Sequence, residues 1–512
     1  MDRIDARTRT GALVGALAMF LALDVAFLVS LIGLPFAPFS LGQALIAIVP
    51  GSLQVALIEA LLYWAKILLV AGVVALFFIG GSLAGAFVAS PRRTDRAVVI
   101  AVAAPWVIAV VLAEVFAPLR IDLATSVIDA AAGLATNAIV LAYLVPASLT
   151  RDRAASPDRR RVLLSGAAVA TVAAIAALPL SKVFAGVGPK VGNAPLAPRR
   201  LAERAAIPTP DPSLDAIEGL TSRITPNDRH YTVDTTLVKP RVDLSTWKLD
   251  VNGNVERPYS ITYDELLDMD AVEQARTLEC ISNPVGGDLI STAVWVGVRM
   301  RDLLARASPK ANTYDVVLTS VDGYSDSFPI AKAMEENTLV AYLMNGNTLP
   351  QEHGYPLRAL VPNIYGMKNV KWLREIRLET FDFKGYWQQQ GWNDTAVINT
   401  NARIDVPGTT LRWSGGEVPL AGIAFAGARG IKAVELSFDE GKTWQAATLE
   451  TPPGPLTWVR WVLRWTPGGP GRMSAWARAT DGGGQVQTPV PREPYPDGST
   501  GYHAISFNIV RV

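Results

Sequence analysis

What most limits the fold of this chain is a contrast between its two parts. Up to about residue 190 it runs repeatedly through long stretches with almost no charge; beyond that it carries an ordinary mixture of charged, polar and apolar residues. About 20 apolar residues are enough to cross a bilayer as a helix, and a helix satisfies its own backbone polar groups in lipid. "GALVGALAMFLALDVAFLVSLIGL" (11–34) meets that requirement, and so do the runs 61–89, 97–116, 123–149 and 162–181. The reading is five spans within residues 1–183. The weaker stretch 36–58, broken by Pro50 and Gly51, reads as interfacial or re-entrant.

The arginines orient these spans, because basic loops stay on the cytoplasmic side. Arg3, Arg7 and Arg9 precede the first span, Arg92, Arg93 and Arg96 lie between the second and third, and Arg151, Arg153, Arg159, Arg160 and Arg161 precede the fifth. With five spans all three clusters share one face. The expectation is a multi-pass protein of the plasma membrane with its amino terminus in the cytoplasm and everything after the fifth span outside. "DRRRVLLSGAAVATVAAIAAL" (158–178) also resembles a twin-arginine export signal. The first histidine is His230, so a haem held by two transmembrane histidines is not expected. Asp24, Glu59, Lys66, Glu114 and Asp129 lie in or near the spans, where pairing inside a bundle is as good a reading as function.

Forty-seven basic against 46 acidic residues give a net charge of +1, which offers no argument for a nucleic-acid partner. Residues 184–226, rich in Pro, Ala and Arg, read as a linker. Short β-like runs follow: "WKLDVNG", "DVVLTSVDG", "LVAYLMNG", "LRALVPN" and "LREIRLET". Among them are two helix candidates. One is 262–269, where Thr262 and Glu265 can form a capping box; the other is 297–307. The mixture predicts an α+β domain over 227–398. No G-x-G-x-x-G follows a strand, so a nicotinamide cofactor is unsupported. Over 399–512 the pattern turns all-β. "KAVELSFDEGKTWQAATLE" (432–450) reads as a hairpin turning at Asp439-Glu440-Gly441, and two Trp-rich strands follow. This predicts an immunoglobulin-like sandwich, with Trp444, Trp458, Trp461, Trp465 and Trp476 packing in it.

Cys280 is the only cysteine, so no disulfide can form within the chain. It is a buried filler, a metal ligand or a nucleophile. The segment "VEQARTLEC" can end a strand, and Asn283-Pro284 with Gly286-Gly287 reads as a backbone loop. A thiolate held at a strand end suits a soft metal or a metal-dithiolene centre. Iron-sulfur clusters and structural zinc need more protein ligands than one thiol can supply. A second cluster, His353, Arg358, Lys368 and Lys371, falls in an otherwise apolar, turn-forming stretch. Such donors suit a phosphate-bearing or polyanionic cofactor, and solvated residues at strand edges are the equal alternative.

"TLECISN", "AVWVGVRMRDLL", "VAYLMNGNTLPQEHGYPLRALVPNIYGMKNVKWLREI" and "VELSFDEGKTW" together resemble the sulfite oxidase family of molybdopterin-dependent oxidoreductases. The resemblance covers roughly 225–512 in the family's own order. It implies a domain holding the molybdenum-molybdopterin cofactor, followed by an immunoglobulin-like domain that serves dimerisation in the family, hence a possible homodimer. Cys280 would be the thiolate on molybdenum and the residue central to catalysis. His353, Arg358, Asn369, Val370 and Lys371 stand where the family contacts the pterin and its phosphate, the valine through its backbone. Asp322 resembles another pterin contact. Tyr231, Thr232, Val233, Asp234 and Thr235 fall in the family's early cofactor segment.

That early segment departs from the family. Sulfite-oxidising members carry an Arg-Asn-His run where "HYTVDT" (230–235) has Val233, Asp234 and Thr235. A valine cannot hold an anionic substrate as an arginine does. The tyrosine those members keep near the metal gives way to Trp392 in "YWQQQGW" (386–392). No haem is expected in this chain, and a counterpart of the family's amino-terminal haem domain is not expected either. The expectation is a membrane-anchored, exterior-facing oxidoreductase that transfers an oxo group at sulfur of a small molecule, a sulfoxide fitting better than sulfite, and exchanges electrons with an external carrier or a membrane redox partner. The alternative is a non-catalytic surface binding or adhesion module on a membrane bundle.

Overall fold

A computed structural model describes residues 6–30, 64–90, 95–116, 130–141, 192–236 and 239–512, with a few single positions between 38 and 53. The chain divides into two compact units, one reaching to Lys190 and the other beginning at Val191.

The described part of the first unit is helical: Ala6–Ser30, Trp64–Val88 and Asp95–Phe116, with a further helical stretch at 130–141. Two of these helices are long and apolar enough to cross a membrane, over Thr8–Ala26 and Leu68–Val88. The apolar parts of the other two, Ile100–Val111 and Ala130–Leu141, are shorter. The first two helices meet through glycines four apart on each, Gly11 and Gly15 facing Gly81 and Gly85, where any added Cβ would overlap the opposite backbone. Close backbone approach of this kind packs helices where lipid supplies no hydrophobic drive. The expected fifth span, its twin-arginine-like start and most of 36–58 lie outside the described residues.

Among its described residues the second unit contains 20 strands. Its first domain has β1 (Leu201–Glu203), β2 (Lys248–Gly253), β3 (Tyr259–Thr262), β4 (Ala271–Glu279), β5 (Ile290–Arg299), β6 (Asp315–Ser320), β7 (Ser325–Pro329), β8 (Leu339–Met344), β9 (Asn347–Thr348), β10 (Arg358–Leu360) and β11 (Leu373–Glu379). One sheet runs β1-β4-β5-β8-β10 with β9 on β8, and the other runs β3-β2-β11-β6-β7. Both contribute to one core, in which Leu249, Leu266, Val298, Leu318, Tyr342 and Leu373 are fully or almost fully buried. The predicted capping box is present: the Thr262 hydroxyl accepts from the Glu265 N–H, and the Glu265 carboxylate accepts from the Thr262 N–H. The second predicted helix starts later than its sequence pattern suggested, at Met300, because residues 297–299 remain in β5 and pair with β4 and β8.

The described part of the expected linker, 192–226, is not a free tether. Leu201–Glu203 adds a parallel strand to β4, Asn193 N–H donates to Thr348 O at 3.0 Å and Thr225 N–H to Thr292 O at 2.7 Å. Arg223 is buried and donates to Pro208 O and Thr451 O. A segment without periodicity of its own can still be ordered by giving its backbone polar groups to a sheet edge.

The carboxy-terminal domain holds β12 (Asn401–Val406), β13 (Thr410–Trp413), β14 (Val418–Phe425), β15 (Ile431–Ser437), β16 (Gln445–Ala446), β17 (Thr448–Leu449), β18 (Val459–Trp465), β19 (Gly471–Asp481) and β20 (His503–Arg511). Its sheets, β12-β14-β18-β17 and β13-β20-β19-β15-β16, close over one apolar core that includes Leu420, Leu436, Trp461 and Phe507. The predicted hairpin forms between β15 and β16, but its second arm then crosses to the facing sheet, where β17 pairs with β18. Trp458 and Trp461 are buried, while Trp444, Trp465 and Trp476 are only partly so.

Candidate functional site

Cys280 directly follows β4, and the loop after it returns to β5. β4 and β5 pair antiparallel from Ala271↔Val298 to Glu279↔Ile290, which fixes both ends of that loop. Cys280 N–H donates to Leu289 O at 2.9 Å. Asn283 knits the interior: its N–H donates to Cys280 O at 3.0 Å, its Oδ1 accepts from Leu289 N–H at 3.0 Å and its Nδ2 donates to Glu279 Oε1 at 3.0 Å. Gly286 takes a positive φ of 78°, which a side-chain-bearing residue adopts only with strain.

The thiol is buried, 7% exposed. Burial pushes its pKa up, and the hydrogen bond with Ser282 Oγ, at 3.0 Å, opposes that. A buried thiol with a raised pKa is a poor free nucleophile, whereas a metal takes such a sulfur as thiolate. Among the described residues no three His, Cys, Asp or Glu side chains converge to hold a metal ion. A metal at Cys280 would therefore draw its remaining ligands from a non-protein group.

Two groups of side chains lie near the strand end that carries Cys280. In one group the Tyr231 hydroxyl lies with Glu279 O against Gly366, and burial drives its phenol well above the usual range. Tyr231 N–H donates to Ser291 Oγ at 3.1 Å. Beside it His230, His353 and Trp295 form an aromatic cluster in which the two imidazole centroids are 5.0 Å apart. Asn227 O accepts from His353 Nε2 at 2.8 Å, which fixes the proton on that nitrogen, and burial lowers the His353 pKa to about 4. Arg358 is buried over the Trp295 ring and donates to His353 O and Asn369 O, and burial brings its pKa down to about 10. Asn369 supports this group, its Oδ1 accepting from Val361 N–H and its Nδ2 donating to Tyr365 O, while the carbonyl of buried Val370 accepts from Ala359 N–H. The second group holds Tyr324, whose hydroxyl donates to Met367 O at 2.8 Å, next to Gly366. The turn holding Tyr324 includes Asp322, whose Oδ1 accepts from Tyr324 N–H at 3.1 Å.

The early segment divides. Tyr231 joins the first group described above. Asp234 forms an ion pair with Lys371, and Val233 O and Glu352 O accept from the same ammonium at 3.2 Å each. Thr232 is exposed and Thr235 half-buried. Lys368, which the sequence grouped with the basic cluster, is committed to the protein interior: its ammonium donates to Asp326 Oδ1, Ser327 O and Asp394 Oδ1. Trp392 packs edge-on between Trp387 and Tyr495. The sequence reading did not single out His230, Glu279, Asn283, Trp295 or Tyr324. All of them lie in or next to quoted runs, Trp295 within "AVWVGVRMRDLL", so nearness to a motif is the available signal. Glu279, pushed up to about 7 by burial, accepts hydrogen bonds from Asn283 and Asn401.

These residues fit a large polar guest. His230 Nε2, Arg358 Nε and Asp322 Oδ2 are buried and have no hydrogen-bond partner among the described residues. Buried polar atoms are ordinarily paired, and here an imidazole, a guanidinium and a carboxylate each keep one buried atom unused.

Comparison with known proteins gives this geometry its context. Residues 236–387 match the oxidoreductase molybdopterin binding domain, and residues 393–493 match the Mo-co oxidoreductase dimerisation domain. Human mitochondrial sulfite oxidase is 30% identical over 312 residues, covering 52% of this chain and 57% of that enzyme. The oxidoreductase YuiH of Bacillus subtilis is 30% identical over 151 residues, covering 30% of this chain and 74% of that protein. The sulfane dehydrogenase SoxCD of Paracoccus pantotrophus shares the fold with a TM-score of 0.50 at 24% identity, covering 57% of this chain and 82% of that one. The chain belongs to the sulfite oxidase family of molybdopterin-dependent oxidoreductases. It spans a little over half the length of the human enzyme.

Proposed function

We propose that this protein is a membrane-anchored oxidoreductase whose Cys280 binds molybdenum and whose substrate is a small neutral molecule oxidised or reduced at sulfur. The observation that carries this reading is the buried thiol at the end of β4, with no group of three His, Cys, Asp or Glu side chains among the described residues to hold a metal without help, and with buried His230, Arg358 and Asp322 atoms unpartnered among those residues. His230, His353 and Arg358 would hold the pterin side of the cofactor, with Tyr231, Asn369 and the Val370 backbone shaping that wall; Asp322 would face it from the other side. When bound, the cofactor supplies two-electron oxo-transfer chemistry. The protein supplies a fixed thiolate, neutral imidazoles whose pKa values are held down by burial, and exclusion of water.

The charge balance favours a neutral substrate. Val233 stands where sulfite-oxidising members carry arginine, and the Lys371 charge beside it is compensated by Asp234. Human sulfite oxidase is thus a guide to the cofactor and to sulfur chemistry more than to the substrate. The arginine clusters and the two long apolar helices support a multi-pass anchor with its amino terminus inside and the enzyme outside. The match over 393–493 supports a homodimer, and electrons would pass to or from an external carrier or a membrane partner.

A steady-state panel tests the substrate reading. Neutral alkyl and aryl sulfoxides should be reduced with a reduced viologen dye as donor, and sulfite oxidation with ferricyanide should be at least about a hundredfold less efficient, as expected when a charge-pairing arginine is missing from a buried site. Sulfite turnover with kcat/KM equal to or above that for sulfoxides would overturn it.

A further inference from the structure

The loop that carries Cys280 is held from outside as well as by its own hydrogen bonds. Four side chains of the carboxy-terminal sandwich reach it. Ser499 Oγ donates to Asn283 O at 2.7 Å. Arg403 Nη1 donates to Gly287 O at 2.8 Å, while its other nitrogens are fixed by Asp405 and Thr221 at 2.7 and 2.6 Å. The His503 ring lies against Gly286 so closely that a Cβ there would overlap it, and its Nδ1 accepts from Ile404 N–H at 2.9 Å, which sets the ring orientation. Asn401 Nδ2 donates to both oxygens of Glu279 at 3.2 and 3.1 Å, and Glu279 in turn accepts from the loop's own Asn283. Asn399 steadies this grip by donating to Asp497 O and Ser499 O.

A loop with Gly-Gly at its apex has little stiffness of its own. Here the residue before the thiol and positions 283, 286 and 287 after it are each tied to the other domain. We propose that the sandwich domain sets the position of the Cys280 sulfur, with Ser499, Arg403, His503 and Asn401 as positioning residues. The inference rests on the reading of Cys280 as the metal's protein ligand. It assigns to the dimerisation-type domain a direct part in shaping the metal site.

Because Cys280 is the only thiol, alkylation of the chain reports on this loop alone. The experiment measures iodoacetamide labelling of the full chain, made in a host that lacks the cofactor, for the parent, S499A/R403Q and R429Q. Arg429 bridges the same two domains through Asn363 and Asp481 without touching the loop, so it controls for general loosening. The proposal predicts labelling about tenfold faster in S499A/R403Q, as expected when a local opening equilibrium loses one or two hydrogen bonds, and no change in R429Q. In the loaded enzyme the Mo(V) paramagnetic resonance g-values should shift in S499A and return in S499T. Equal labelling in parent and S499A/R403Q, or an equal rise in R429Q, would overturn the proposal. The ligand reading is judged separately, by molybdenum content in C280S, so either can fail while the other stands.

Discussion

The two domains of the second unit are both built from a pair of sheets over a core, yet they treat buried polar groups differently. In the sandwich Arg460 and Glu450 form two hydrogen bonds at 2.7 and 2.9 Å, Asp481 takes Arg429, and Gln487 uses both ends of its amide. Among the described residues from 399 onward, the one buried side-chain atom without a partner is Trp461 Nε1. Among its described residues the first domain leaves many more, including atoms of His230, Arg358 and Asp322. A domain that only packs and pairs can satisfy itself; one that holds a guest keeps donors and acceptors for it.

The contrast can be broken most forcefully inside the sandwich. Glu450→Ala leaves the buried Arg460 charge without its main partner and should lower stability by about 3–5 kcal/mol, equally with and without cofactor, by denaturant titration. Equal stability would mean that the pair is not needed there. In the cradle the opposite is expected. Arg358→Leu should change the stability of the cofactor-free chain by less than about 1 kcal/mol, because an incompletely paired buried charge is replaced by an apolar residue. Retained pterin should nevertheless fall by about tenfold, as expected when a charged hydrogen-bond donor to the guest is lost.

A smaller effect follows from His353, whose pKa burial lowers from 6.5 to about 4. The unfolded chain takes up this proton first as pH falls, so the stability contributed by the neutral imidazole is present above pH 6.5 and is lost between there and about 4. Glu279, raised from 4.5 to about 7, has the opposite sign and costs stability as pH rises through that window. The difference between the parent and His353→Gln isolates the imidazole: the variant's unfolding midpoint should fall less between pH 6.5 and 4.5. The smallest expected effect is Thr262→Ala, which removes the capping box at the start of helix Tyr263–Leu267 and should cost about 1 kcal/mol without touching cofactor content.

Much of this was legible from the residues, and the rest was hidden for physical reasons. Strands such as 315–320 and 373–379 announce themselves as short β-like runs, and the capping box by its spacing. Cys280 stood out because it is single, and the HG-x-PLR and G-x-x-x-VKWL runs marked the segments that carry the cradle. The order of 192–226 was not visible, since its backbone pairs with β4 and with residues 292 and 348 far along the chain. Nor was the fate of the lysines: Lys368 and Lys371 read alike in sequence, and only tertiary structure commits one to Asp326 and the other to Asp234. The grip of Ser499 and Arg403 on the cysteine loop joins residues more than 100 positions apart and has no local signature.

The central claim is that Cys280 holds the metal, and elemental analysis tests it most directly. Molybdenum would be counted by inductively coupled plasma mass spectrometry on the full chain, produced in a host that makes the cofactor, beside Cys280→Ser with the same melting temperature. Near-stoichiometric molybdenum in the parent and a large loss in the variant is the predicted result. Folded parent protein without molybdenum, or a variant that keeps its full complement, would contradict the account.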